Sequence, residues 1–452
     1  MCLRLPHSIA ALLAASLIAS PALCQTAPAH GPWSRTYGGA VSNQGLFDLR
    51  QLRGGRLVVA GYTGSFGGTN PSNWLMSLEL ATGDVQFQQV CSSAAGGFPD
   101  GAAIAADGGA LFMGRDVKDL FTKHDAWLIR VDASGGVVWS QGFTAAGDGK
   151  FFLFDAAELD DGSWIAAGST SATDQPPQKA WIVRLSAAGV PLWQSEYGGG
   201  LADTIRSIVP TADGGFAATG WTNSSGAGAD DVWVLKIDGV GGIEWQQTFG
   251  GLDSDQAEQI VQLHDGGLAV AGSTNSRTPS GHAPWVLRLD AGGALLWHAA
   301  VASDIWGDLG AVAETNDGQL VVVGRVGEPG FPSNDLWCAK LAAASGKMLW
   351  QRAYEGQLGD FGSAVLPLAG AGYVVGGTWG WGFPGESIWL LRTDRAGGLA
   401  GCDLVRRTTY ELVSPGITAQ PGTAVRTPAS AMLQPVAAHV APSAAVVSEI
   451  CP

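Results

Sequence analysis

Short apolar runs recur along the chain, each bounded by glycine, aspartate or a polar cluster. Runs this short, rich in Val, Leu, Ala and Trp, predict strands rather than helices. Residues 260–301 show one complete unit. IVQLH (260–264) predicts a first strand, A, and Asp265-Gly266-Gly267 a tight turn. LAVAGST (268–274) predicts strand B, followed by a polar loop, then WVLRLD (285–290) as strand C. Asp290-Ala291-Gly292-Gly293 turns the chain again into ALLWHAAV (294–301), strand D. Glycine in these turns supplies the positive φ of a tight hairpin. The strands are apolar on both faces, as expected of a sheet packed between two neighbours.

The unit is repeated seven times. A turn glycine recurs at Gly55, Gly108, Gly162, Gly214, Gly266, Gly318 and Gly370. A second glycine follows at Gly61, Gly114, Gly168, Gly220, Gly272, Gly324 and Gly376. A tryptophan opens strand C at Trp74, Trp127, Trp181, Trp233, Trp285, Trp337 and Trp389. All three series step by 53, 54, 52, 52, 52 and 52 residues, and the second glycine precedes its tryptophan by 13 in every copy. A fixed period of this length is the signature of a repeat fold. Strand D carries its own aromatic at Trp33, Phe87, Trp139, Trp193, Trp245, Trp297 and Trp350, whereas the last repeat has Gly401 in that place. The segment from Trp33 to Tyr37 is therefore expected to supply strand D of the last repeat and to close the ring between the chain ends.

The expected fold is all-β: a seven-bladed β-propeller of four-stranded antiparallel blades, closed by the N-terminal strand. The expected division is a leader at 1–24, a linker at 25–32, the propeller at 33–402 and an Ala/Pro/Val-rich tail at 403–452. The tail shows no helical periodicity and is expected either as extended strand laid on the propeller or as disorder.

Asp213-Gly214-Gly215, Asp231-Val232-Trp233, Lys236, Asp238, Trp245 and Phe249-Gly250-Gly251 form one nearly whole copy of the repeat. It resembles the repeat of secreted bacterial seven-bladed propeller proteins, over roughly residues 33 to 400, and implies that fold with little chemistry. Asp132-Ala133-Ser134-Gly135 with Trp139, and Ala344-Ser345-Gly346-Lys347 with Trp350, are more distantly similar to the tryptophan-docking motif of quinoprotein-like propellers. The enzymes of that family carry a vicinal Cys-Cys pair and a calcium site at their quinone, and this chain has no Cys-Cys. The outer-membrane assembly scaffold, which shares the docking motif without a cofactor, is the better analogue.

Composition narrows the reading. Glycine (66 residues) and tryptophan (18) are abundant, and only 14% of residues are charged. A net charge of −15 would repel a phosphate backbone and excludes nucleic acid as a partner. Arg4, an apolar stretch from Ile9 to Ile18 and Ala22-Leu23-Cys24 read as a secretory leader, with cleavage after Cys24, or alternatively after Ala29. Leu23 before Cys24 argues against lipidation at that cysteine. The destination is the medium, the periplasm or the cell surface. No other segment is long and apolar enough to cross a membrane. Cys91, Cys338, Cys402 and Cys451 remain after cleavage and allow three pairings. The disulfide expected is Cys402 with Cys451, both in the tail.

The chain has no G-x-S-x-G elbow, no phosphate loop and no histidine at metal spacing, so no catalytic residue is assigned. Asp203, Asp255, Asp308 and Asp360 recur where strand D hands over to strand A. Two readings stay open for them: caps of a loop, or a carboxylate ring able to hold Ca²⁺ as the chain's one cofactor. Five tryptophans fall outside the two repeat series. Trp164 is expected in the core. Trp221, Trp306, Trp379 and Trp381 lie at the D–A and B–C loops, where aromatics beside Asp and Asn would bind a sugar or a peptide. The expected function is thus an exported, non-catalytic, monomeric binding or scaffold propeller, with a protein, peptide or glycan on that loop face. The alternative is a cofactor-dependent or polysaccharide-acting extracytoplasmic enzyme.

Overall fold

The computed structural model describes residues 31–451, apart from 40–42, 67–70, 94–96, 118–123, 145–148, 172–177, 277–281, 302–304, 328–333, 357–358, 371, 381–384, 401, 403, 415–416, 429–431, 435–437 and 443–445. From 427 onward only the backbone is described. The predicted leader lies outside these residues.

Every repeat forms an antiparallel meander of strands A to D. In the fifth repeat these are Asp255–Gln262, Leu268–Thr274, Ala283–Leu289 and Leu295–Val301. Both turns are the hairpins the sequence predicts. Leu263 and Asp290 each start a five-residue loop, closed by Gly266 at φ +84° and Gly293 at φ +85°. The aspartates of these loops fold back onto them: Asp290 Oδ1 accepts from the amides of Gly292 and Ala294, both at 2.9 Å.

The sheets form a propeller-type fold. The A strands of successive repeats lie side by side, and the last, Phe361–Leu368, lies beside the first, Gln44–Leu52. Apolar clusters fill the space between neighbouring sheets, and one joins Ala364, Val374 and Leu390 of the last repeat to Leu57, Trp74 and Met76 of the first. The seven strand-C tryptophans are among the most deeply buried side chains. Trp164 is also core.

A second tryptophan series locks sheet to sheet. The strand-D tryptophans, Trp139, Trp193, Trp245, Trp297 and Trp350, each lie on the C–D turn of the next repeat, where the second repeat's Gly135 meets Gln89 instead of a ring. Trp139 Nε1 donates to Ala187 O (3.0 Å), Trp193 to Gly239 O (3.3 Å) and Trp297 to Ala343 O (2.8 Å). Tyr197 OH and Tyr354 OH reach the turn-glycine carbonyls of Gly241 and Gly397, each at 2.8 Å. The N-terminal strand Trp33–Gly38 pairs with Ser387–Thr393 of the last repeat. From there Trp33 Nε1 and Tyr37 OH dock on Leu80 O (3.1 Å) and Gly83 O (2.7 Å) of the first repeat.

The sheets depart from the expected four strands. Each carries a fifth, on the outer edge of strand D, and all come from the tail. Val405–Arg407 pairs with the sixth repeat, Leu412–Val413 with the fifth and Thr418–Pro421 with the fourth. Val425–Pro428, Met432–Gln434 and Ala438–Pro442 continue to the third, second and first. Val446–Cys451 ends on the N-terminal strand. The tail is a belt running backwards around the rim. The physical reason is the outer edge: an unpaired strand D exposes a row of N–H and C=O groups, and the tail satisfies them. Side chains of the sheets hold it, with Gln351 Nε2 on Tyr410 O (2.8 Å) and Gln246 Nε2 on Ala424 O (3.0 Å).

The last repeat also corrects the expected constant spacing. Trp389 faces Gly377, not Gly376, whereas Trp285 faces Gly272 and Trp337 faces Gly324. The A–B turn keeps its length, since Leu368 faces Gly372 as Thr315 faces Gln319, so the whole A–B hairpin of the last repeat is displaced by one residue along the sequence.

Docking on the turn glycine gives a testable asymmetry. Gly293 and Gly214 share φ +85°, but a Cβ on Gly293 would strike the Trp245 ring, while one on Gly214 meets nothing within 4 Å. Gly214→Ala should cost about 1 kcal/mol, the left-handed penalty alone. Gly293→Ala should cost about 1–3 kcal/mol more through overpacking. Equal losses in urea unfolding would show that this tryptophan contact is not structural.

Candidate functional site

The D–A and B–C loop face is shaped by an irregularity shared by all seven A strands. Each has a bulge opposite the second glycine of strand B, as at Ile205/Ser207 against Gly220. The glycine is needed there: a Cβ on Gly220, Gly272, Gly324 or Gly377 would fall on the carbonyl oxygen of the facing A strand. The bulge leaves one residue of each A strand outside the ladder. These are Phe47, Asp100, Phe154, Arg206, Glu258, Gly310 and Ser363. They stand on the inner ring, where the A strands adjoin.

Three arginines organise this ring. Arg115 ion-pairs with Asp100 and lies 5.2 Å over the Phe152 ring. Phe152 and Phe154 are nearly parallel, with centroids 6.1 Å apart. Arg206 lies 4.5 Å over Phe154 and pairs with Glu258 at 2.9 Å. Arg325 binds Asp308 through two nitrogens, at 2.7 and 2.9 Å. It is held 4.5 Å over Trp306 and 5.2 Å from Phe361, with His282 edge-on to Trp306. In each case a guanidinium is fixed between an aromatic face and a carboxylate, which sets its plane. Burial pushes the Asp100 carboxyl up to about 6 despite Arg115, and Asp308 is raised by the same cause against Arg325.

The four recurring aspartates take local roles. Asp203 accepts from Thr222 Oγ1, from Ser224 Oγ (2.8 Å) and from the Gly199 amide (2.8 Å). Asp255 repeats the arrangement with Thr274, Ser276 (2.6 Å) and the Gly251 amide (2.8 Å). Asp360 accepts from the Gly380 amide at 3.0 Å. Asp308 is offset by one register position and pairs with Arg325 instead. Asp203, Asp255 and Asp360 therefore tie the D–A loop to the loop that follows strand B. Among the described residues no group of three His, Cys, Asp or Glu side chains comes together to hold a metal ion.

The loop tryptophans divide. Trp306 and Trp221 are half-buried at the inner end of the loop face, Trp221 at the end of strand B opposite Thr204. Trp379 packs edge-on against the core Trp389, with centroids 4.7 Å apart. Trp381 lies outside the described residues. Sequence reasoning missed the three arginine clusters. Two of the clusters are built on bulge residues, Asp100 in one and Phe154, Arg206 and Glu258 in the other, whereas the third joins ladder partners Asp308 and Arg325.

No protein-family model and no curated protein matches the chain. Among solved structures, Chaetomium thermophilum Sqt1 bound to the N-terminus of ribosomal protein L10 aligns over 79% of this chain and 98% of its own, at 11% identity and TM-score 0.40. Puromycin hydrolase aligns over 75% at 15% identity and TM-score 0.45, and this chain spans about half (51%) of that structure. The V. cholerae biofilm matrix protein Bap1 aligns over 82% of this chain and 90% of its own, at 10% identity and TM-score 0.30. Likeness at this level carries nothing about function from those proteins to this one. No helix among the described residues is long and apolar enough to cross a membrane.

The buried carboxyls predict a pH dependence. Burial raises Asp360 to about 7. A carboxyl raised in the folded state binds protons more readily than in the unfolded chain, so stability falls as pH rises between about 4 and 7. Asp360→Asn keeps the oxygen that meets Gly380 and removes the charge. Its melting temperature should equal the parent's at pH 4 and exceed it by a few degrees at pH 8; equal curves at both pH values would exclude a buried charge there.

Proposed function

We propose that the protein is an exported, seven-bladed, closed binding propeller whose ligand, a glycan or an extended peptide, lies across the inner end of the D–A and B–C loop face. The observation that carries this reading is the set of three arginines, Arg206 from a bulged A strand and Arg115 and Arg325 from B strands, each stacked on an aromatic ring of an A strand. Rings and guanidinium planes fixed by carboxylates are already ordered, so a ligand laid on them loses little side-chain entropy. Aromatic faces suit the apolar side of a sugar or the side chains of a peptide. The paired charges supply hydrogen bonds without a strong net field. Trp306 and Trp221, on the sixth and fourth repeats, are the contact residues of this reading. Trp379 supports the core through Trp389.

The test is binding of the intact protein to a glycan array and to a peptide library, beside Trp306→Ala and Trp221→Ala. Each change should weaken binding at least tenfold, about 1.4 kcal/mol, while the melting temperature stays within a few degrees. Binding unaffected by both changes would place the ligand elsewhere.

A further inference from the structure

We propose that Cys402 and Cys451 are joined, so that the tail is a covalently closed hoop around the propeller and a staple across the seam where the chain ends meet. The argument begins with the path of the belt. It leaves the last repeat just after the C–D turn at Asp394–Gly398, visits the other six sheets in reverse order and returns to the sheet it left. Its first and last residues are therefore neighbours in space although they are roughly 50 residues apart, a separation at which loop closure is entropically costly.

The two cysteines stand at those ends. Cys451 lies opposite Ser34 in the ladder. Ser34 lies opposite Leu391 on its other side, and its hydroxyl accepts from Trp389 Nε1 at 2.8 Å. Cys402 packs against the cluster that contains Trp389, Leu391 and Tyr354. One tryptophan thus adjoins both ends of the belt. Among the described residues Cys91 and Cys338 are buried and outside any disulfide, and Cys402 is not one of them. Burial raises the Cys338 thiol far above its ordinary range, so it does not compete as a nucleophile. Closure converts two thiols to one disulfide. Two protons leave, and two electrons pass by thiol–disulfide exchange to the disulfide of an oxidising carrier protein, which becomes a dithiol.

The bond matters because of what it spans. The strand Trp33–Gly38 lies between Ser387–Thr393 and Val446–Cys451. It is the strand that ties the last repeat to the first. The belt segments are short, down to Leu412–Val413, and each alone is marginal. An open belt frays from its ends. A closed one has no ends, and the N-terminal strand cannot leave without breaking the two ladders beneath the clasp.

The experiment uses the full chain made under oxidising conditions. The native protein is alkylated, digested without reduction and mapped by mass. The expected product is one peptide pair linking Cys402 to Cys451, with Cys91 and Cys338 alkylated only after unfolding. Alkylated Cys402, a different partner, or a disulfide-linked dimer on a non-reducing gel would overturn the clasp. The staple is read separately by comparing melting and protease resistance of the parent before and after reduction. A drop of about 5 °C or more, with the first cuts falling in the tail, is expected. Cys402→Ala, Cys451→Ala and the double change should each match the reduced parent, without additivity. An unchanged melting temperature and digestion pattern on reduction would overturn the staple.

Discussion

An indole resting on a glycine of the neighbouring repeat is the contact on which this molecule depends. Strands A to D of one repeat pair with one another, but a single four-stranded sheet with two apolar faces has no stability alone. What joins one sheet to the next is the strand-D aromatic, laid on a C–D turn whose glycine has positive φ and no Cβ. The indole N–H and, in three places, a tyrosine hydroxyl donate to carbonyls of that same turn. The turn glycine thus has two duties: it reverses the chain, and it leaves room for the ring that arrives from the previous repeat. The N-terminal strand obeys the same rule through Trp33 and Tyr37, so the joint between the chain ends is built like the joints within the chain.

A second constraint follows from this stacking. Stacking repeats removes the exposed faces but leaves each strand D with an open outer edge. The tail covers it one short strand at a time. Pro421, Pro428 and Pro442 end three of those strands. Proline has no N–H to donate and is confined to edges, so it suits the outermost strand and blunts it against further pairing. The same residue type lets the chain step from one sheet to the next, at about 3.3 Å per extended residue.

The inner edge is treated differently. A strand closest to the axis is crowded, and the bulge turns one residue of each A strand out of the ladder. Those positions are free of the repeat's packing rules, which is why they differ from copy to copy: Phe, Asp, Phe, Arg, Glu, Gly, Ser. Variation at a position turned out of a repeated frame suits a recognition surface on a rigid scaffold.

The sequence by itself determined the strands, the hairpin turns, the buried tryptophans and the place of the N-terminal strand. These rest on local periodicity and turn chemistry, which the chain displays within each repeat. It could not show that Gly377 rather than Gly376 faces Trp389, because two adjacent glycines read alike until the register is set by the strand opposite. It held the belt only as prolines at near-regular intervals, without saying which edge they served. It put the aspartates and tryptophans near the D–A and B–C loops, whereas Asp203, Asp255 and Trp306 open A strands, Asp308 lies inside one, and Trp221 and Trp379 stand at the ends of B strands, with partners the sequence did not show. Whether Asp203 caps a loop through Thr222 and Ser224, or Asp308 holds Arg325 against Trp306, is decided by residues 17 to 21 positions away. Those contacts exist only once strands A and B are paired.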